Sequence, residues 1–131
     1  MARAPTSLAD LPSNAVRPLG SLSSETLRSW AQAAQHRFMH ATLTGIRERR
    51  PLLVAIGRAL EFPSWFGANL DALYDSLTDL PERFPAPGYV VVLDGLAQGA
   101  DTEENAALLD VFRDAAEEFA GRGLALRVYY R

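Results

Sequence analysis

The chain has 131 residues, of which 48% are hydrophobic, and its formal net charge is −3. This length and composition favour one globular domain with an ordinary core. The absence of cysteine excludes disulfides, thiolate metal sites and cysteine nucleophiles. No stretch approaches 18 apolar residues and the N-terminus lacks a signal-peptide pattern, so we expect a cytoplasmic protein without membrane contact.

Charge is distributed unevenly along the chain. Residues 1–60 hold eight arginines against three acids, whereas residues 61–131 hold five arginines against thirteen acids. The arginines of the first half are scattered, without a basic stripe or interleaved stacking aromatics, so nucleic-acid binding is not expected. The acidic second half favours a partner of positive charge.

The first part of the chain predicts a tail, a strand and a helix. Residues 1–14 contain prolines and no periodicity, which predicts a flexible N-terminal tail. A short strand follows, and Pro18 confines it to a sheet edge. Capping residues and apolar side chains at helical spacing predict a helix over residues 24–35. We therefore expect residues 15–36 to add a strand and a helix to a core of residues 37–131, within one domain.

The predicted core alternates strands and helices. Its elements are a strand at 37–43, helices at 49–60 and 68–80, a rigid proline-containing loop at 81–88, a strand at 89–93, a loop or short helical turn at 94–102, a helix at 103–120 and a strand at 124–130. Strands separated by helices pair in parallel. The prediction is an α/β fold, a small and mostly parallel sheet of three core strands packed with helices, to which the N-terminal strand can add a fourth at the edge.

Residues 65–75, Trp-Phe-Gly-Ala-Asn-Leu-Asp-Ala-Leu-Tyr-Asp, carry the main functional signal. Asp71 and Asp75 lie four residues apart on a predicted helix, where like charges cost about 0.2–0.5 kcal/mol. Aromatics in the preceding loop, with no base nearby, indicate an interface better than a plain solvated face. A hydrolase with a catalytic carboxylate pair is the more specific alternative. Such a pair needs two environments that separate the pKa values of the two carboxyl groups, whereas two aspartates on one exposed helical face would have similar environments.

Several other polar residues keep two interpretations. Asn69 either caps the helix or holds the preceding loop, and Tyr74 either packs sideways on the core or joins the acidic face. Asp114 and Glu118 follow each other at a four-residue step on the last helix, and they matter only if they lie near the aspartate pair. His36 and His40 are spaced like a zinc pair but fall on a predicted strand without a third ligand, so no metal site and no cofactor is expected.

The run from Phe62 to Thr78 closely resembles the core motif of barstar-type ribonuclease inhibitors. The segment Val111-Phe112-Arg113-Asp114-Ala115 is similar to the start of that family's last-helix motif. Residues 37–131 follow the family's order of elements. The resemblance implies a non-enzymatic cytosolic inhibitor, monomeric when free, that blocks the active site of a small secreted ribonuclease. Such a protein is the immunity partner in a bacterial toxin–antitoxin pair.

The resemblance also implies roles for individual residues. Asp75 would be the central anchor, Asp71 its support, and Trp65 the side chain that stacks on the enzyme's catalytic histidine. The residues expected to bind the ribonuclease are Trp65, Gly67, Asn69, Asp71, Tyr74, Asp75, Thr78, Asp114 and Glu118. Trp65 and Tyr74 stand where the prototype has Tyr and Trp, so the partner is either barnase-like or another toxin-type ribonuclease. A regulatory module that binds a partner other than a nuclease is the alternative.

Overall fold

Strands and helices alternate along the chain, and the strands form one parallel sheet. The structure is a computed structural model that describes residues 3–96 and 102–131. The strands are β1 (Asn14–Pro18), β2 (Arg37–Thr42), β3 (Gly88–Asp94) and β4 (Ala125–Tyr130), in the order β1-β4-β3-β2. The helices are α1 (Ser24–Ala33), α2 (Arg49–Ala59), α3 (Leu70–Thr78), α4 (Leu80–Arg83) and α5 (Glu103–Gly121). The predicted α/β class, with a fourth strand at the edge, is confirmed.

The positions of the strands in the sheet follow from their side chains. Residues 89–93 of β3 are all fully buried, as expected for an uninterrupted apolar run that has no polar face to offer to water. β3 therefore lies inside the sheet, between β2 and β4. β1 ends in Pro18, which cannot donate a ladder hydrogen bond, and it lies at the edge.

The two faces of the sheet are covered by different parts of the chain. α2, α3 and α5 bury leucines, isoleucine and phenylalanines against one face, together with Val91, Leu126 and Val128. On the other face, Leu27 of α1 packs in a smaller cluster with Val90. The added N-terminal elements thus close a face that the core elements leave open.

The predicted tail is attached to the fold where the structure describes it. Residues 8–10 form a 3-10 helix, and Leu8 is only 3% exposed. Arg127 of β4 donates hydrogen bonds from Nη2 to the carbonyl oxygens of Leu8 and Leu11, at 3.1 and 3.4 Å. The prediction of flexibility across residues 1–14 is therefore wrong for this part, because a distant buried arginine needs the acceptors that the segment supplies.

Two predicted boundaries also change between α3 and β3. The helix predicted at 68–80 runs from Leu70 to Thr78, and α4 follows where the prolines predict a rigid loop at 81–88. Pro81 stands in the first turn of α4. A first-turn N–H has no intrahelical acceptor, so proline is tolerated there, and the loop prediction is wrong for these residues. The loop predicted at 94–102 lies largely outside the described residues.

Candidate functional site

The segment between α2 and α3 holds two adjacent aromatic side chains in opposite environments. Phe66 packs edge-to-face against Phe62, with ring centroids 5.0 Å apart. Gly57 of α2 makes room for it, since a Cβ at that position would lie 2.9 Å from Phe66 Cδ2. Trp65 is instead 83% exposed, although indole is among the costliest side chains to leave in water. Half-buried Phe66 holds the loop in a conformation that presents Trp65 to solvent.

The strained position of this loop is Ala68 rather than Gly67. Ala68 has a φ of 51°, in the left-handed region that costs a non-glycine residue roughly 1–2 kcal/mol. Gly67 has no such backbone, and its hydrogen leaves space for its neighbour, because a Cβ there would lie 3.2 Å from Asn69 Nδ2. The expected role of Gly67 in shaping the loop is thus steric.

Asn69 caps α3. Its Oδ1 accepts a hydrogen bond of 2.8 Å from the backbone N–H of Ala72, which satisfies one of the donors left free at a helix start. Of the two interpretations of this residue, the structure shows the cap. The cap also fixes where the helix begins, and so it sets which way the following acidic side chains point.

α3 divides its side chains between the core and an open surface. Leu73 and Leu77 are fully buried, whereas Asp71 and Asp75 are exposed on the other side of the helix. Tyr74 is half-buried between the two, so its ring packs on the core and also borders the acidic side. Both interpretations of Tyr74 therefore hold at once.

α3 and α5 enclose an open hollow of about 750 Å³, which we call the acidic groove. Its residues are Leu70, Asp71, Tyr74, Asp75, Val111, Asp114, Glu117 and Glu118. Five of these eight side chains are carboxylates and none is basic. The apolar side chains are half-buried at the packed interface of the two helices. The structure thus brings the aspartate pair of α3 together with Asp114 and Glu118 of α5.

One arginine lies at the end of this arrangement. Arg122 forms an ion pair with Glu118 at 3.2 Å and donates to the carbonyl oxygen of Thr78 at 2.8 Å, which ties the end of α5 to the end of α3. The Thr78 hydroxyl donates to backbone carbonyl oxygens of its own helix. Among the described residues, the other four carboxylates of the acidic groove have no ion-pair partner. Thr78 does not line the groove, so its expected contact stays a prediction.

Comparison with protein families bears directly on this site. A family model described as Barstar (barnase inhibitor) matches residues 36–131. The chain belongs to the barstar family. No curated protein sequence matches the chain. Members of the barstar family are inhibitors that bind ribonucleases such as barnase.

The barstar match contains the whole acidic groove and leaves out most of the N-terminal addition. α2, α3 and α5 all lie within residues 36–131, and so does Trp65. β1 and α1 precede the match. None of the helices in the described ranges is long and apolar enough to cross a membrane.

Three residues of the groove in this barstar-family chain were missed by reasoning from the sequence. Glu117 stands three residues after Asp114, but the sequence reasoning followed only the four-residue steps of α5. Leu70 stands at helical spacing with the buried Leu73 and Leu77, which favours a core position, yet it is half-buried and lines the groove. Val111 of α5 is also half-buried and lines the groove. A helical projection that kept both three- and four-residue steps would have found Glu117.

The two histidines lie in different environments in this barstar-family chain. His40 Nε2 lies 3.1 Å from Asp94 Oδ2, whereas His36 is packed beside Gly88. Across residues 3–96 and 102–131, no group of three histidine or acidic side chains is arranged to hold a metal ion.

Asp94 links three strands outside the groove and predicts a pH dependence. Its carboxylate accepts hydrogen bonds from Arg131 Nε at 2.8 Å and from His40, and these partners, Arg131 first, lower the pKa of Asp94. A carboxyl whose pKa is lower in the folded state stabilises the fold above its unfolded pKa of about 3.9, and this stability is lost as pH falls through the folded value. We expect urea unfolding at pH 6 to show Asp94→Asn less stable than the wild type. The difference should shrink below pH 4, and a constant difference from pH 6 to pH 3 would contradict this role.

Proposed function

We propose that the chain inhibits a small basic ribonuclease by placing the acidic groove and Trp65 against the enzyme's active site. The observation that carries the proposal is a set of four carboxylates gathered in one groove of a barstar-family domain, none of which has an ion-pair partner in the part of the chain that the structure describes. Like charges held close together destabilise the free protein. A protein that keeps them is expected to gain from them in a complex with a positively charged surface.

Carboxylates suit this task because they can replace the phosphates of RNA. Both groups accept paired hydrogen bonds from the guanidinium of arginine, so a site built to hold phosphate also holds aspartate. In this proposal Asp75 is the anchor in the enzyme's phosphate site, and Asp71 supports it. Asp114 and Glu118 supply flanking charge from α5, and Glu117 adds to it.

Trp65 supplies the apolar part of the proposed contact. A large aromatic side chain that the free protein leaves in water is typical of the residues that dominate interface energies. Its loop is fixed by Phe66, so little conformational entropy is lost when a partner covers it. In this proposal it stacks on the ribonuclease beside the anchored carboxylates.

The resemblance supports the cellular part of the proposal. The chain acts in the cytoplasm of a bacterium that makes and secretes the ribonuclease, and it protects that cell as the immunity partner. It is a monomer when free. A gene for a small secreted basic ribonuclease next to the gene for this chain would support this arrangement.

The direct test is titration of a ribonuclease with the purified chain. Cleavage of a fluorogenic RNA by barnase, and by any small basic ribonuclease encoded beside this gene, should fall to zero at a one-to-one ratio. The association rate should fall steeply as salt is raised, because opposite charges steer the encounter. Full cleavage by both enzymes at a tenfold excess of the chain would contradict the proposal.

Trp65→Ala provides a prediction specific to the loop. We expect about a 10- to 100-fold weaker inhibition, since exposed aromatics at such interfaces contribute about 1.4–2.8 kcal/mol. The free energy of unfolding should change by less than about 0.5 kcal/mol, because the side chain is 83% exposed. Phe66→Ala is the matched control, with the larger cost expected in urea unfolding. Equal losses of stability in the two variants would contradict the assignment of Phe66 to the packed side of the loop and of Trp65 to the solvent side.

A further inference from the structure

A second hollow lies on the face of the sheet that α1 covers, away from the acidic groove. It has a volume of about 510 Å³ and opens between the end of β1, the first turns of α1 and the N-terminal segment. We call it the N-terminal hollow, and the residues that define it here are Leu11, Arg17, Leu22, Thr26, Trp30 and Tyr129. Pockets of about 300–1,000 Å³ are typical of small-molecule sites.

Apolar side chains form one part of the wall of the N-terminal hollow. Leu11, Leu22 and Trp30 are half-buried around it and also border the smaller core cluster. Trp30 offers an indole face on one side, and Pro18 borders the opening from the end of β1. Such walls fit a flat aromatic body better than an inorganic ion.

Two polar side chains that line the hollow, Arg17 and Tyr129, have donors without acceptors among the described residues. Arg17 is the one charged residue that lines it, and in the described residues the guanidinium of Arg17 has no hydrogen-bond or ion-pair partner. Tyr129 lines the hollow beside it, since the two residues are register partners on β1 and β4. Tyr129 is 3% exposed, and its hydroxyl has no hydrogen-bond partner within the described part of the chain. A buried polar group left in this state costs about 1–3 kcal/mol.

Arg127 adds positive charge behind the hollow. It lies two residues before Tyr129 on β4, and it is 6% exposed with Nε and Nη1 unpaired among the described residues. Burial raises the pKa of the Tyr129 hydroxyl, while Arg127 and then Arg17 lower it, so both guanidinium groups act on this hydroxyl. None of the described residues that line the hollow is a carboxylate.

We propose that the N-terminal hollow binds a small organic anion, a carboxylate or phosphate ester carried on an aromatic body. The anionic group accepts hydrogen bonds from Arg17 and the Tyr129 hydroxyl, and the ring lies against Trp30. The positive end of α1, whose N-cap Ser23 also lines the hollow, favours the same charge. The site is independent of ribonuclease inhibition, because it lies on the other face of the sheet.

The test is an NMR titration of the full chain, followed by its backbone amides and the Trp30 indole N–H. Phenylacetate and phenyl phosphate are the anionic probes, benzyl alcohol is the neutral aromatic control, and inorganic phosphate is the anion without a ring. We expect the two anionic probes to shift resonances of the hollow with a Kd of about 1 mM or tighter, and the two controls to bind at least about tenfold more weakly.

Three variants locate the contacts. Arg17→Gln and Tyr129→Phe should each weaken phenylacetate binding about tenfold or more. Tyr129→Phe should also leave the protein as stable as the wild type or more so, since it removes an unpartnered buried hydroxyl. Arg28→Gln is the control, because that arginine lies on α1 and stacks over Phe38 at 4.6 Å, outside the hollow.

The other outcomes would overturn the proposal. Equal binding of benzyl alcohol would show an apolar hollow without anion recognition, and equal binding of inorganic phosphate would show a charge site without an aromatic wall. No shifts with any probe up to about 10 mM, ten times the expected Kd, would show no site. Unchanged binding in Arg17→Gln would remove the residue on which the anion assignment depends.

Discussion

Asp75→Asn is expected to weaken inhibition of the ribonuclease by about 30-fold or more while the fold stays intact. Removal of one partner of a buried, hydrogen-bonded charge pair costs about 2–5 kcal/mol of binding, a range set in part on barnase–barstar complexes themselves. The substitution keeps the shape of the side chain and removes only its charge. The loss should lie mainly in a faster dissociation rate, measured by stopped-flow or surface plasmon resonance with the ribonuclease.

The same variant should not lose stability. Asp75 faces Asp71 across one turn of α3, and relief of that repulsion is worth about 0.2–0.5 kcal/mol. Urea unfolding should therefore place Asp75→Asn at or slightly above the wild type. A residue that lowers the stability of the free protein but raises its affinity for the ribonuclease serves binding rather than folding.

Asp79→Asn is the matched control for this prediction. Asp79 lies four residues after Asp75, is exposed at the end of α3 and is not among the residues that line the acidic groove. The net charge changes by the same amount in both variants, so a general electrostatic effect would appear in both. We expect Asp79→Asn to slow association slightly and to leave dissociation unchanged. Equal losses in the two variants would show that bulk charge, and not a specific contact at Asp75, produces the affinity.

The order of elements could be predicted because each core element has a clear local pattern. The run Tyr89–Leu93 can only be a strand covered on both faces, and the leucines of α3 repeat at helical spacing. The aspartate pair could be found for the same reason, because a four-residue step on a helix fixes a shared face. These features depend on residues close together in sequence.

The features that the sequence did not reveal depend on distant residues. The segment around Leu8 looks like a tail until Arg127, 119 positions away, is placed beside its carbonyl oxygen. The groove also required the packing of α3 on α5, which no local pattern specifies. A helical projection can place Glu117 beside Asp114 on α5, but it cannot place α5 beside α3. The exposure of Trp65 required knowledge that Phe66 occupies the space above Gly57.

The two faces of the sheet carry different features, the acidic groove on one side and the packed N-terminal elements on the other. The helices that build the acidic groove all pack on one face, where their leucines and phenylalanines supply the larger cluster. Repulsion among the groove carboxylates must be offset by burial elsewhere, because a domain of this size is stable by only about 5–15 kcal/mol. The N-terminal elements add a second apolar cluster, with Leu8, Leu19 and Leu27 at its centre. Their packing is a source of stability that does not touch the groove.

Leu27→Ala tests this second source of stability, and we expect the largest loss of fold stability from it. Leu27 of α1 is fully buried against Val90 and Val92 of the central strand. A leucine truncated in a close-packed core costs about 2–5 kcal/mol, because the remaining cavity is only partly filled by relaxation. Urea unfolding, followed by circular dichroism and by Trp30 fluorescence in a Trp65→Phe background, should give one shared transition at lower denaturant.

Arg28→Ala is the neighbour that controls for an effect on α1 itself. Arg28 is exposed and its guanidinium lies 4.6 Å from the centre of the Phe38 ring, so a loss of about 0.5–1 kcal/mol is expected. The Leu27→Ala protein, in conditions where it remains folded, should inhibit the ribonuclease as strongly as the wild type does. The acidic groove lies on the other face of the sheet from Leu27. This result is the reverse of the pattern expected for Asp75→Asn. A cost below about 1 kcal/mol for Leu27→Ala, or a separate early transition of Trp30, would mean that the N-terminal elements are attached to the core without stabilising it.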